Sequence, residues 1–180
     1  ATNNTLTLKS ATGSITIHGV IGGTSSRDIG ALKINSQAAS ESGAGAITLN
    51  GVGSSTQIGI TGAVNIGNTN TASVTLADGG TYYNLDGDAT ITTTNVADKI
   101  IIGDAITIKN ANHKVEFLRG GITLNADGHD LTIDAGTGAV TLTDIGGHSS
   151  EVIDIAGGTI TAAIIGNADE IKSVKLDSST

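Results

Sequence analysis

The chain has 180 residues and contains no Cys, Pro, Met or Trp; its aromatics are two Tyr and one Phe. Without Cys there is no disulfide and no thiolate metal site. Without bulky aromatics, which ordinarily fill core volume, the interior must be narrow and repetitive, built from Ile, Leu, Val and Ala. The missing Pro fits strands that are hydrogen-bonded on both sides, because Pro cannot donate to a ladder. No segment reaches 18 consecutive apolar residues, so no transmembrane helix is expected. The chain opens Ala1-Thr2-Asn3-Asn4, with neither Met nor a basic stretch, and reads as a mature chain or a piece of a longer one. The lack of Cys suits a chain exported unfolded, since it cannot be trapped by oxidation.

Positive charge is also scarce. The net charge of -8 argues against nucleic acid and against an anionic membrane surface, and with no transmembrane helix no direct membrane insertion is expected. Residues 1–77 carry three bases and two acids, whereas the rest carries 15 acids against six bases. Between Ser42 and Ala77 there is no charged side chain. What the chain has in quantity is Gly and Thr, 26 of each, the residues of turns and of exposed strand positions.

The apolar residues are arranged in short triads. Ile122-Thr123-Leu124, Leu131-Thr132-Ile133 and Val140-Thr141-Leu142 begin nine residues apart. Each is apolar, Thr, apolar, the two-residue period of a strand with one buried face. Asn125, Asp127, Gly128, Asp134, Gly136 and Gly138 supply turns between them. Similar triads run from Leu6-Thr7-Leu8 to Val174-Lys175-Leu176, with Lys33, Asn65, Glu116 or Asp154 in place of the central Thr in some. No window carries a 3.6-residue apolar period. The fold predicted is all-β, a β-solenoid spanning 1–180 as one continuous unit. With two or three strands per coil of about 20 to 25 residues, roughly eight coils follow. At about 4.8 Å per coil the rod would be about 40 Å long. A longer pattern matches Ile21-Gly22-Gly23 through Ile29 with Ile145-Gly146-Gly147 through Ile153.

The pattern Gly-x-apolar-Thr-apolar, a short gap, Ile-Gly-Gly, a polar loop and apolar-x-apolar is carried by residues 138–158 and again by 13–35. In this the chain resembles filamentous-haemagglutinin-like adhesins and autotransporter passenger domains of bacterial surface proteins. The resemblance implies a right-handed parallel β-helix, secretion and a role in adhesion at the bacterial cell surface. The family's secretion-signalling domain and barrel strands have no counterpart in this sequence.

Candidate chemistry is sparse. No Gly pair continues into the Gly-x-Asp of a calcium β-roll. Asp86-Gly87-Asp88 and Asp127 with Asp130 lack EF-hand spacing and read as turn formers. His18, His113, His129 and His148 sit beside Gly, Asn or Asp without metal-ligand spacing. A sugar-cleaving carboxylate pair would need stacking aromatics, and only Tyr82, Tyr83 and Phe117 are present, Phe117 on the inward parity. No nucleophile elbow or phosphate loop occurs. No catalytic, cofactor or metal residue is therefore expected, and no enzyme.

The expected function is that of a secreted, adhesive surface solenoid presenting loops such as 18–31 and 143–152 to a host or bacterial surface protein or glycan. End-to-end self-association into a filament or sheath is the second expectation. An ice-binding solenoid ranks below both, because Lys33, Asn65, Glu116 and Asp154 interrupt a single file of outward Thr.

Overall fold

The computed structural model describes residues 4–22, 29–38, 42–76, 82–97, 99–166 and 171–178, and among them there is no helix. The triads are strands, and the chain winds through three sides in turn. Sheet one stacks β1 (Thr5–Leu8), β3 (Ala31–Ile34), β5 (Val64–Ile66), β8 (Ala89–Thr92), β11 (Val115–Leu118), β14 (Val140–Leu142) and β17 (Ile160–Ala162). Sheet two stacks β2 (Ile15–Ile17), β4 (Ile47–Leu49), β6 (Val74–Leu76), β9 (Ile100–Ile102), β12 (Ile122–Leu124) and β15 (Ile145–Gly146). Sheet three stacks β7 (Tyr82–Leu85), β10 (Ile106–Asn110), β13 (Leu131–Asp134), β16 (Val152–Gly157) and β18 (Ser173–Ser178). Every pairing between these strands is parallel. The molecule is a parallel β-solenoid.

Sheet one is seven strands deep, so about six turns separate the first rung from the last, slightly fewer than the eight expected. At about 4.8 Å per rung the stack is about 30 Å tall. The difference arises because early rungs are long. Leu32 pairs with Val64, 32 residues on, whereas Val140 pairs with Ile160, 20 residues on.

Alternation within each triad decides what is buried. Leu131 and Ile133 are 0% and 1% exposed, stacked between Ile106 and Ile108 below and Ile153 and Ile155 above. Thr132 points the other way, half-buried in an outward file between Thr107 and Asp154. The core is one continuous column of aliphatic side chains. Phe117 is fully buried within it, in register with Ile91.

The nine-residue step proves to be a step between sides. Ile122, Leu131 and Val140 lie in sheets two, three and one, and the vertical repeat is the full rung, as from Val115 to Val140. The longer repeat is out of phase with the coil: Ile21 bridges to Val52 on the third side, whereas Ile145 begins β15 in sheet two. The single Thr file also divides. Lys33, Asn65 and Glu116 stand in sheet one and Asp154 in sheet three, while sheet two carries Thr16, Thr48, Thr75, Ile101 and Thr123 in register.

The corner between sheets three and one demands glycine. A Cβ on Gly62 would lie 2.2 Å from the carbonyl oxygen of Gly30, and one on Gly87 would lie 2.4 Å from that of Gly62. Backbone therefore rests on backbone for three rungs. Asn110 takes over in the next, its Nδ2 donating to the carbonyls of Gly87 and Lys114 and its Oδ1 accepting from the Gly87 N–H.

Candidate loop-presenting surface

Sheet three is interrupted in its first two rungs. Ile21, Val52 and Tyr83 are bridged in a column, and so are Ile29, Ile60 and Leu85. In the third rung a single residue, Asn84, separates the two columns. In the second rung residues 53–59 do so, and the chain must leave the coil and return. In the first rung residues 22–28 occupy the same interval; of these only Gly22 is described.

The two ends of the 53–59 loop are anchored by backbone hydrogen bonds to the rungs on either side. Gly53 N–H donates to the Ile21 carbonyl at 2.8 Å and Gly59 N–H to the Asn84 carbonyl at 2.9 Å. Gly53 has a φ of +68°, which favours glycine. A Cβ on Gly59 would meet the Gly53 nitrogen at 2.4 Å, so only a bare backbone can pinch this tightly. Gly22 of the first rung rests on Gly59 in the same way. Inside the loop, Ser54 N–H donates to the Gln57 carbonyl, and the Ser54 hydroxyl accepts from Gln57 N–H at 3.1 Å. The Asn84 side chain donates to the Ser54 carbonyl at 2.8 Å, tying the loop to the rung beside it. Ser55, Thr56 and Gln57 are left exposed at the tip.

Tyr82 lies next to this neck, its carbonyl accepting the N–H of Val52, where the loop departs. It is 38% exposed, the one exposed aromatic among the described residues. Tyr83 instead points inward and donates its hydroxyl to the Leu49 carbonyl, and Phe117 is in the core. The surface thus combines hydroxyl and amide groups on a tied loop with an exposed phenol, none of them charged. Such groups can hydrogen-bond and stack on a partner at small entropic cost.

A second concave surface lies on the outside of sheet one. Its floor is Lys33, Asn65 and Thr90, with Gln37 and Asn68 on its wall, enclosing about 450 Å³. Asn68 is fixed there, its Nδ2 donating to the carbonyls of Gln37 and Ser42.

The loop expected at 18–31 falls partly on 23–28, outside the described residues. The other expected loop, 143–152, is not a free loop. It contains β15, and Glu151 within it is fully buried.

The turn residues singled out by charge serve rung-to-rung contacts. His113 lies between Asp86 and Asp88, at 3.5 and 3.8 Å, and Asp88 also accepts the Lys114 N–H. Asp130 accepts the Val152 N–H at 2.7 Å. His129 contacts Asn125 and the Ile102 carbonyl through Nδ1, while His18 and His148 are exposed. The Glu116 carboxylate accepts a hydrogen bond from Lys114 and holds the ammonium above its usual range. Asp177, and behind it Asp154, do the same for Lys175.

No family model matches the chain, and no curated protein or solved structure matches it either.

Proposed function

We propose that this chain is a presenting segment of a secreted bacterial surface protein, a stiff solenoid that holds polar loops out for contact with a host or bacterial cell-surface protein or glycan. The observation that carries this reading is the 53–59 loop, pinched at a glycine neck and tied to Asn84. A turn needed only to continue the coil has no reason to be this long, because the third rung makes the same connection with one residue. The adhesin-like pattern of 138–158 supports the same reading.

Rung three supplies the test. Replacing residues 53–59 by a single Asn shortens rung two to the form that rung three already takes. Beads coated with the shortened protein should bind host or bacterial cells at least about tenfold less than beads coated with the parent, with an unchanged melting curve. Equal binding by the two proteins would remove the loop from the mechanism.

A second reading is favoured by the seventh rung. Val174 and Leu176 of β18 are 43% and 48% exposed, and among the described residues β18 pairs only with β16. An open parallel edge of this kind can receive a further strand. Light scattering across a dilution series separates the two readings: a presenting segment stays monomeric, whereas a filament subunit grows with concentration.

A further inference from the structure

We propose that the turn between β15 and β16 binds a hard monovalent cation, sodium or potassium, with the Glu151 carboxylate and the Ser150 hydroxyl as its side-chain ligands. The proposal is independent of the loop-presenting reading.

Its basis is a carboxylate placed where one should not be left alone. Glu151 is 0% exposed, and among the described residues neither Oε1 nor Oε2 has a hydrogen-bond partner. The hydroxyl of Ser150, the preceding residue, is also buried without a partner among them. Strand alternation explains the position: Glu151 shares the inward parity of Ile153 and Ile155, both fully buried. The carboxylate folds back over the start of its own turn. A Cβ on Gly147 would stand 3.2 Å from Oε2, and the absence of a side chain there leaves room beside the oxygens. An ionised carboxylate out of water and without a counter-charge is among the costliest arrangements a fold can contain.

The groups around it do not supply the counter-charge. Among the described residues no ion pair reaches Glu151. Lys172, in the rung above, gives Glu151 only its backbone N–H, and its side chain is exposed. Asp130, in the rung below, is committed to the Val152 N–H and adds negative charge. His129, just before β13 in the rung below, is engaged by Asn125 and the Ile102 carbonyl. Residues 78–180 carry 15 acids and six bases, which draws cations toward this half of the solenoid.

The donor set selects the ion. Carboxylate and hydroxyl oxygens are hard ligands and disfavour metals that prefer thiolate or imidazole. A single carboxylate balances one positive charge. Calcium prefers six to eight oxygens, several of them carboxylates, and no cluster of three acidic, His or Cys ligands exists among the described residues. This departs from the sequence-based expectation of no metal, which rested on the missing Cys, β-roll pattern, EF-hand spacing and metal-ligand His spacing.

The test is thermal melting of the full chain in sodium, potassium or choline chloride at equal ionic strength. The midpoint should be about 2–4 °C or more higher in one alkali cation than in choline, since a ligand of the native state raises it. Glu151→Gln keeps the shape, removes the charge and should abolish that difference. If Glu151→Gln does not fold, Ser150→Ala should reduce the difference, and alkali-metal NMR on the unaltered chain should show broadening that excess potassium or sodium reverses. Equal midpoints in all three salts would overturn the proposal. A cation dependence that survives in Glu151→Gln would overturn it too.

Discussion

Ile133→Asp should abolish cooperative folding of the later rungs, and Ile133→Ala should cost about 2–5 kcal/mol by the loss of buried area and the cavity left behind. Ile133 is 1% exposed and is held between Ile108 and Ile155, so an aspartate there meets hydrocarbon above and below. An unpaired carboxylate has no favourable place in that column. In a stack where each rung touches only its neighbours, the damage should spread outward from β13. Thr132→Lys, one residue away, should change stability by no more than about 0.5 kcal/mol, as most surface substitutions do. It places an ammonium in register with Asp154. Denaturant midpoints of the three variants check the facing. If Thr132→Lys were the most damaging, inside and outside would be exchanged.

Phe117→Ala should cost about 3–5 kcal/mol. Phe117 is the single Phe of the chain and is 0% exposed. It is in register with Ile91 in a core otherwise made of aliphatic side chains and one buried Tyr. No neighbour of comparable size can move in to fill the space. Phe117→Leu keeps most of the volume and should cost less than about 1.5 kcal/mol. Urea unfolding of the two variants should separate them clearly. Similar small losses for both would mean that the rungs slide to close the gap, and that the packing is looser than the burial of Phe117 implies.

The triads were legible as strands because each has a polar centre between two apolar residues, and that pattern marks the buried side chains of the inner rungs, whereas in the end rungs Leu6 and Leu8 are only partly buried and Val174 and Leu176 are exposed. Where the centre is apolar the signal vanishes. Ile100-Ile101-Ile102 is β9, and its middle residue takes a place in the outward Thr file of sheet two, yet no alternation marks it. Which side a triad occupies was not legible, because all three sides use the same alternation. The nine-residue step from Ile122 to Val140 is passage from side to side, as two or three strands per coil requires, but nothing in it says which side is which. The loop at 53–59 was hidden because it is uncharged and rich in Ser and Gly, the composition of an ordinary turn. A usable signal was present: Ile21-Gly22 is followed by Ile29, and Val52-Gly53 by Ile60, the same eight-residue interval in two successive rungs. The inward parity of Glu151 could likewise be read from Ile153 and Ile155. Its isolation could not, because that depends on which groups the adjacent rungs bring near.

The stacking itself is most directly measured along the outward file of sheet two, using paired spin labels on a chain that has no cysteine of its own. Thr48 and Thr75 are neighbours in register, while Thr123 lies three rungs from Thr48. At about 4.8 Å per rung, labels on Thr48→Cys and Thr75→Cys should be strongly dipolar-broadened, as close as adjacent strands allow. Labels on Thr48→Cys and Thr123→Cys should sit about 14 Å apart along the stack. Spacing that rises with rung number confirms a parallel coil with these rungs in this order. A Thr48–Thr123 pair as close as Thr48–Thr75, or a Thr48–Thr75 pair that is far apart, would contradict it.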